Sequence, residues 1–307
     1  MHYCLAGGAG FIGSHLATAL LSDDHRVTVL DDLSTGSYDN FGPETRRNGS
    51  FTLYEHDVTE SLPVRPRFDV IIQLASIPTP RAYMDAPIQT LRTGATGTRR
   101  LLNLARRSNA IFLLASTSEV YGNPMVHPQP ESYNGNVDPF GPRACYDESK
   151  RYAEALTRAY HTEYDVSVRI ARIFNTYGPR MRDDRVIPSF IRQVLRGDPL
   201  TVHGDGQQTR SFCYIDDLIH GLRSLINSDV TAPVNIGNPD EVSIRELAAV
   251  VRDVADRNVS VTYTERPPDD PERRCPNITR AQDRLNWQPS IALRDGIKKT
   301  IEEFRKR

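Results

Sequence analysis

A doubly wound α/β fold, with a parallel sheet in the N-terminal half and a smaller, discontinuous α/β lobe after it, follows from three observations. Short β-branched runs alternate with longer helical patterns as far as about Ile173, the arrangement of strands joined by crossover helices. Two of these runs, 69–76 and 110–116, are apolar almost throughout, as in central strands covered on both faces. Beyond Asn175 the pattern breaks into short helices and brief strands punctuated by prolines.

Taken in order, the strands are expected at 2–6, 26–30, 51–56, 69–76, 110–116 and 166–173. A helix over 11–21 follows the first strand, with Phe11, Ile12, Leu16 and Leu20 on or near one stripe. Residues 87–107 are long enough for one helix packed on the sheet, and 144–163 for another. Later helices are expected at 187–196, 216–228 and 243–257, with strands at 211–215 and 259–263. Ser243 followed by Glu246 has the form of a capping box. Prolines gather in connections, notably 124–142 and 267–276. The outcome is a nucleotide-binding domain over 1–175 and a second lobe mainly over 176–307, some of whose segments return to the first sheet.

Composition narrows the class of partner. With 38 Lys+Arg against 39 Asp+Glu, the chain lacks the basic excess of a general nucleic-acid or membrane-surface binder. No apolar run approaches the ~20 residues needed to span a bilayer, and the chain enters a strand-like run at once, without the pattern of a signal peptide. Cys4, Cys145, Cys213 and Cys275 are scattered with no CxxC pair, which fits reduced cytoplasmic thiols better than a disulfide frame or a zinc site. No metal is expected.

The first strand runs into Gly7-Gly8-Ala9-Gly10-Phe11-Ile12-Gly13, which opens a helix. A pyrophosphate docking on a helix N-terminus needs amides aimed at it and a backbone without Cβ atoms in the way. Gly7, Gly10 and Gly13 suit the tight turn, the close approach and the helix–strand packing, so the domain is of Rossmann type. Asp31 closes the second strand, beside Asp32. A carboxylate there accepts from adenosine ribose hydroxyls and repels a 2′-phosphate, favouring NAD over NADP. Asp57 and Val58, after the third strand, are candidates to flank the adenine.

Tyr146 and Lys150 stand four apart in Tyr146-Asp147-Glu148-Ser149-Lys150, on one face of a helix. A nearby ammonium favours the phenolate, so the tyrosine can act as a base. The fifth strand ends in Thr117-Ser118-Glu119, and ligands in open α/β sheets sit outside the carboxyl ends of strands.

These features resemble the extended short-chain dehydrogenase/reductase family of nucleotide-sugar enzymes. Four runs, LLASTSEVYG (113–122), GPRACYDESKR (141–151), ARIFNTYGPRM (171–181) and QTRSFCYIDD (208–217), are similar to its UDP-glucuronic acid decarboxylase branch over nearly the whole chain. Relatives that expel water carry Asp where this chain has Ser118, and simple 4-epimerases usually lack the glutamate.

The resemblance implies an NAD-dependent, redox-neutral conversion of UDP-glucuronate to UDP-xylose by a cytoplasmic homodimer, paired through helices including 87–107 and 144–163. It implies Thr117, Ser118, Glu119, Tyr146, Lys150 and Arg274 as catalytic, with Leu74 and Ala75 joining the glycine loop in holding the cofactor. Tyr83, Asn175, Arg185, Arg210 and Arg274, together with Glu119 and Tyr146, would hold the sugar nucleotide.

The chain also departs from the family's pattern. The usual asparagine in the helix after strand four is Gly94, the usual lysine after the uronate arginine is Cys275, and His203 replaces a tyrosine near the nucleobase. The loop between Met181 and Arg185 is about two residues short. The competing readings are a 4-epimerase or 4,6-dehydratase of another nucleotide sugar and a non-catalytic NAD-binding protein; the latter would not need Tyr146, Lys150 and Glu119 together.

Overall fold

The computed structural model describes residues 1–64, 67–182, 184–265 and 273–306; part of the proline-rich 267–276 connection therefore lies outside the described residues. The chain divides into two units. The first comprises Met1–Gly122, Val137–Arg172 and Leu222–Val234, and the second Asn123–Asn136, Ile173–Gly221 and Asn235–Arg307. The main change of unit falls at Ile173, and each unit also takes a segment from the other's half of the chain.

The first unit is organised by a seven-stranded sheet. Its strands are β1 (His2–Ala6), β2 (Arg26–Asp31), β3 (Phe51–Glu55), β4 (Val70–Gln73), β5 (Ile111–Thr117) and β6 (Val168–Ile173), with Pro233–Ile236 added at one edge. The order is Pro233–Ile236, β6, β5, β4, β1, β2, β3. β1 lies parallel between β2 and β4, while β2 pairs with β3 and β4 with β5 in the same sense. The order reverses at β1, and a crevice at the carboxyl ends of the strands beside such a switch is where this fold takes ligands. β4 is shorter than expected because the chain turns after Gln73, whose Oε1 accepts the Ala75 N–H at 3.0 Å.

Apolar side chains of the sheet and of two covering helices, Thr98–Ser108 and Ala144–Tyr164, form one core that includes Ile71, Leu101, Leu102, Phe112, Leu114, Ala153 and Ile170. Burying a leucine or phenylalanine of this kind stabilises the fold by about 1.5–3 kcal/mol.

The single helix expected over 87–107 is interrupted. Pro87–Arg92 and Thr98–Ser108 are joined by a widened π turn, Thr93–Gly97. Two glycines allow the turn to press on its neighbours. A Cβ at Gly94 would stand 2.7 Å from the Ser149 Cβ, and one at Gly97 would stand 2.9 Å from Val58 Cγ2.

The second unit uses shorter pieces. Leu200–His203 pairs parallel with Val261–Thr264. Thr209–Ser211 lies between Glu241–Ser243, antiparallel, and Arg273–Arg274, parallel. The strand expected at 211–215 is thus two strands, Thr209–Ser211 and Cys213–Tyr214. Trp287, 1% exposed, donates to the Asp217 carbonyl at 3.1 Å, and the Asp217 carboxylate receives the Ser290 hydroxyl and the Ile291 N–H.

The capping box of helix Ile244–Ala255 forms as its sequence predicts. Ser243 Oγ accepts the Glu246 N–H at 3.1 Å, and Glu246 accepts the Ser243 N–H at 2.7 Å. Among the described residues, no helix is long and apolar enough to cross a membrane.

Candidate active site

The glycine loop leaves the carboxyl end of β1. Gly7 adopts φ +77°, and a Cβ there would stand 2.4 Å from the Ala75 nitrogen and 2.6 Å from the Leu74 carbonyl carbon. A Cβ at Gly13 would meet the Gly7 oxygen at 2.6 Å. Both positions are closed by the protein itself. Gly10 is different: a Cβ there would meet only the Gly7 oxygen, at 3.4 Å, so its missing side chain leaves open space at the start of helix Phe11–Ser22. Phe11 and Ile12 begin that helix, whose first-turn amides have no intrahelical acceptors.

Asp31 is 6% exposed, and both its oxygens face backbone amides, of Ala9 at 2.8 Å and of Leu33 at 2.9 Å. Burial raises its pKa, and these two hydrogen bonds oppose the rise. Asp31 thus shapes the glycine loop directly. Its neighbour Asp32 is exposed and binds the amide and hydroxyl of Ser34. Asp57 takes the Thr59 N–H at 2.8 Å and the Gln89 amide at 3.0 Å. Val58 is 3% exposed, with its side chain in the core.

Thr117 ends β5, and its Oγ1 accepts the Glu119 N–H at 3.3 Å, capping the short turn Ser118–Tyr121. Ser118 is buried, and Glu119 forms an ion pair with Arg143 at 2.6 Å. Helix Ala144–Tyr164 presents Tyr146 and Lys150 one turn apart. The Tyr146 ring stacks on that of Tyr83, with centroids 5.0 Å apart and planes 11° from parallel. Tyr83 is 1% exposed, and its hydroxyl has no hydrogen-bond partner among the described residues. A buried hydroxyl left in this state is costly unless something else meets it.

Lys150 donates to the Ala115 carbonyl at 2.9 Å, with its Nζ 5.9 Å from the Tyr146 ring centroid. Burial lowers its pKa to about 8, with Glu154 acting in the opposite direction. It is therefore mostly an ammonium at neutral pH, yet one whose proton is held more weakly than usual.

Beneath these groups lies an ion pair. Arg172, on β6, donates from Nε and Nη2 to the two Glu154 oxygens at 3.0 and 2.7 Å, and from Nη1 to the Tyr121 hydroxyl at 3.0 Å. Glu154 also receives the Ser116 hydroxyl at 2.5 Å. The loop Gly7–Gly13, Asp31, Leu74, Ala75 and Thr117 therefore share the carboxyl edge of the sheet, and the helix brings Tyr146 and Lys150 to β5.

In the second unit, Arg210 and Arg274 are register partners on adjacent parallel strands, and Arg274 is 3% exposed. Two cations expected to serve an anion thus stand side by side. Asn175 follows β6 and accepts the Cys213 N–H at 2.9 Å. Arg185 immediately precedes helix Val186–Arg196.

Sequence reading missed Arg143 and the Arg172–Glu154 pair, although both arginines lie inside the motif runs that signalled the family. An arginine three residues before the tyrosine was the available clue to the partner of Glu119.

Comparison with known proteins matches the chain along nearly its whole length. Residues 5–300 match the model of the GDP-mannose 4,6 dehydratase family. UDP-glucuronic acid decarboxylase 5 of Arabidopsis thaliana is 48% identical over 310 residues, covering 100% of this chain and 90% of the relative. UDP-glucuronic acid decarboxylase 1 of Xenopus tropicalis is 49% identical over 308 residues, covering 98% and 72%. Among solved structures, the UDP-glucuronic acid 4-epimerase of Bacillus cereus in complex with UDP-glucuronic acid and NAD superposes with a TM-score of 0.88 at 28% identity, covering 100% and 99%. The dTDP-glucose 4,6-dehydratase of Streptomyces venezuelae gives 0.90 at 27%, covering 100% and 97%. With matches along its whole length at the levels of sequence and fold, the chain belongs to the GDP-mannose 4,6-dehydratase family of extended short-chain dehydrogenases/reductases, in its UDP-glucuronic acid decarboxylase branch.

Proposed function

We propose that this protein converts UDP-glucuronate to UDP-xylose and CO₂ in a redox-neutral, NAD-dependent cycle. The observation that carries the reading is the near-50% identity, along the full chain, to UDP-glucuronic acid decarboxylases. In support of it, Tyr146 and Lys150 lie one turn apart on a helix whose Lys150 reaches the Ala115 carbonyl on β5, the strand that ends at Thr117. The open face at Gly10 and the carboxylate of Asp31 fit a dinucleotide, held by Gly7, Gly10, Phe11, Ile12, Gly13, Leu74 and Ala75, with Asp32, Asp57 and Val58 at the adenosine side.

A sugar acid holds its carboxylate because the electrons of the C–C bond have no acceptor. Oxidation at C4 places a carbonyl β to the carboxylate, so that CO₂ leaves with an enolate as electron sink. When bound, NAD supplies that oxidation and afterwards returns the hydride. Tyr146 removes the C4 hydroxyl proton as base, and the Lys150 ammonium favours its phenolate. Thr117 donates to the C4 oxygen as charge develops there. Ser118 and Glu119 orient the uronate and manage the proton that C5 gains, with Arg143 holding the Glu119 carboxyl in place.

Tyr83 offers its unpartnered hydroxyl to the substrate. Asn175, Arg185 and Arg210 hold the diphosphate, and Arg274 holds the carboxylate; guanidinium forks suit both groups.

The protein is further assigned to the cytoplasm, in keeping with its four free cysteines, and to a homodimer. Met84, Ile88, Leu91 and Tyr152 are apolar side chains 43–74% exposed on helices of the first unit, and a second copy would cover them.

The test is a product assay. UDP-glucuronate should yield UDP-xylose and CO₂ without net NADH; unchanged substrate, beside a control decarboxylase that turns over, refutes the reading. Similarity to the 4-epimerase of Bacillus cereus supports a second outcome, UDP-galacturonate, which keeps the substrate's mass where decarboxylation lowers it. Sedimentation of wild type and Ile88→Glu tests the dimer, with the variant expected as monomer.

A further inference from the structure

The second unit contains a cluster of side chains that the proposed reaction does not use. His127, Glu241 and Cys275 come from three separate segments, and their ligating atoms lie within 4.8 Å of one another. His127 Nε2 is 2.9 Å from a Glu241 oxygen and 2.8 Å from an Arg273 guanidinium nitrogen. The same Glu241 oxygen accepts from Arg273 at 3.2 Å, while the other takes the Thr209 hydroxyl at 2.7 Å. Cys275 is 2% exposed, and its N–H is fixed by Gln129 at 2.9 Å.

This arrangement contains a conflict. An imidazole nitrogen either carries a proton or presents a lone pair. With a proton, His127 Nε2 satisfies Glu241 but opposes Arg273; with a lone pair, it satisfies Arg273 but faces the carboxylate oxygen. A metal ion removes the conflict, because it accepts lone pairs from nitrogen, oxygen and sulfur at once. The guanidinium already puts positive charge where the two acceptors converge, and at 57% side-chain exposure it can turn to solvent.

We propose that His127, Glu241 and Cys275 form a binding site for one divalent, thiophilic cation of the zinc type, with water as fourth ligand and Arg273 displaced. A nitrogen, oxygen and sulfur donor set suits zinc over magnesium or calcium. On binding, the Cys275 S–H bond breaks, the proton passes to solvent and a metal–sulfur bond forms. Burial pushes the free thiol up to about 12, and a coordinated metal overcomes this by ionising the thiol outright. Ligand atoms around tetrahedral zinc lie about 3.3–3.7 Å apart, so the Cys275 sulfur closes in by up to about 1 Å while the 2.9 Å His127–Glu241 contact opens slightly. The ion would join Cys275, next to Arg274, to the strand Glu241–Ser243 and to the loop carrying His127, steadying the register partner of Arg210. The site does not depend on the identity of the sugar nucleotide.

Cobalt reports on it directly. The full chain is stripped with a chelator and titrated with Co²⁺. One equivalent should produce a near-ultraviolet thiolate-to-cobalt charge-transfer band, which zinc then displaces. The band should be lost in Cys275→Ser and strengthened at limiting metal in Arg273→Ala, which lacks the competing cation. Zinc should also raise the melting temperature of the wild type. A band absent from both wild type and Arg273→Ala overturns the proposal, as does a band that survives Cys275→Ser.

Discussion

The two units assemble their charged groups in opposite ways. In the first, the groups proposed for chemistry come from short contiguous motifs: a glycine loop, a strand-end triplet and a tyrosine–lysine pair on one helix. Each begins from local backbone, as when Thr117 caps its own turn, and is then fixed by contacts such as that of Lys150 with the Ala115 carbonyl. In the second, Arg210 and Arg274 meet only because strands of two or three residues fall into register. The residue types of the first unit's site are therefore readable from adjacent positions, whereas the pairing of Arg210 with Arg274 is made by segments far apart in the chain.

The largest expected effect tests the local half. Tyr146→Phe removes the proposed base and should lower kcat by about 10²–10⁴-fold while leaving UDP binding near wild type; a turnover number within a factor of a few of wild type breaks the assignment. Arg274→Ala probes the other half. Loss of a buried charge partner should reduce kcat/KM by roughly 10²-fold, as when about 2–5 kcal/mol of paired interaction is lost. Arg274→Lys should restore little of it, because an ammonium lacks the planar fork. Equal rescue by lysine would mean that charge alone matters there.

Lys150 gives a pH signature. Its folded pKa of about 8 lies below the unfolded value of 10.5. Between these values the unfolded chain holds the extra proton, so this group makes the fold more stable as pH rises through the window. The gain is at most about 3 kcal/mol, and denaturant melts of Lys150→Met should lose that slope. Gly94→Ala drives a Cβ to 2.7 Å from the Ser149 Cβ and 3.0 Å from its carbonyl oxygen and should destabilise by about 1–3 kcal/mol in the same melts. The smallest effect is at the capping box, where Ser243→Ala should cost about 1 kcal/mol with kcat unchanged.

Legibility followed the same divide. The first strand, its loop and the following helix appear as the sequence predicts because each is specified by residues adjacent in the chain. Tyr146 and Lys150 were visible for the same reason, since helical spacing is a local property. The break at Thr93–Gly97 was not visible: it depends on what Gly94 and Gly97 press against, Ser149 and Val58, and neither is nearby in sequence. Strands such as Arg273–Arg274 are too short to show an alternating pattern, and only their register creates them. The ion pair of Glu119 with Arg143 lay in plain motifs, but no periodicity announces which arginine will turn toward which acid.

The Arg172–Glu154 pair has a consequence for how this architecture diversifies. It ties Ser116 and Tyr121, on either side of the Thr117–Glu119 triplet, to the helix bearing Tyr146 and Lys150. The triplet is thus a short bridge with both abutments anchored, and its middle residue, Ser118, is spanned by contacts that do not depend on it. Relatives named as epimerases, dehydratases and decarboxylases share this fold or family. In the proposed function, a foundation of this kind would let chemistry change by one side chain at a time above a framework that stays level.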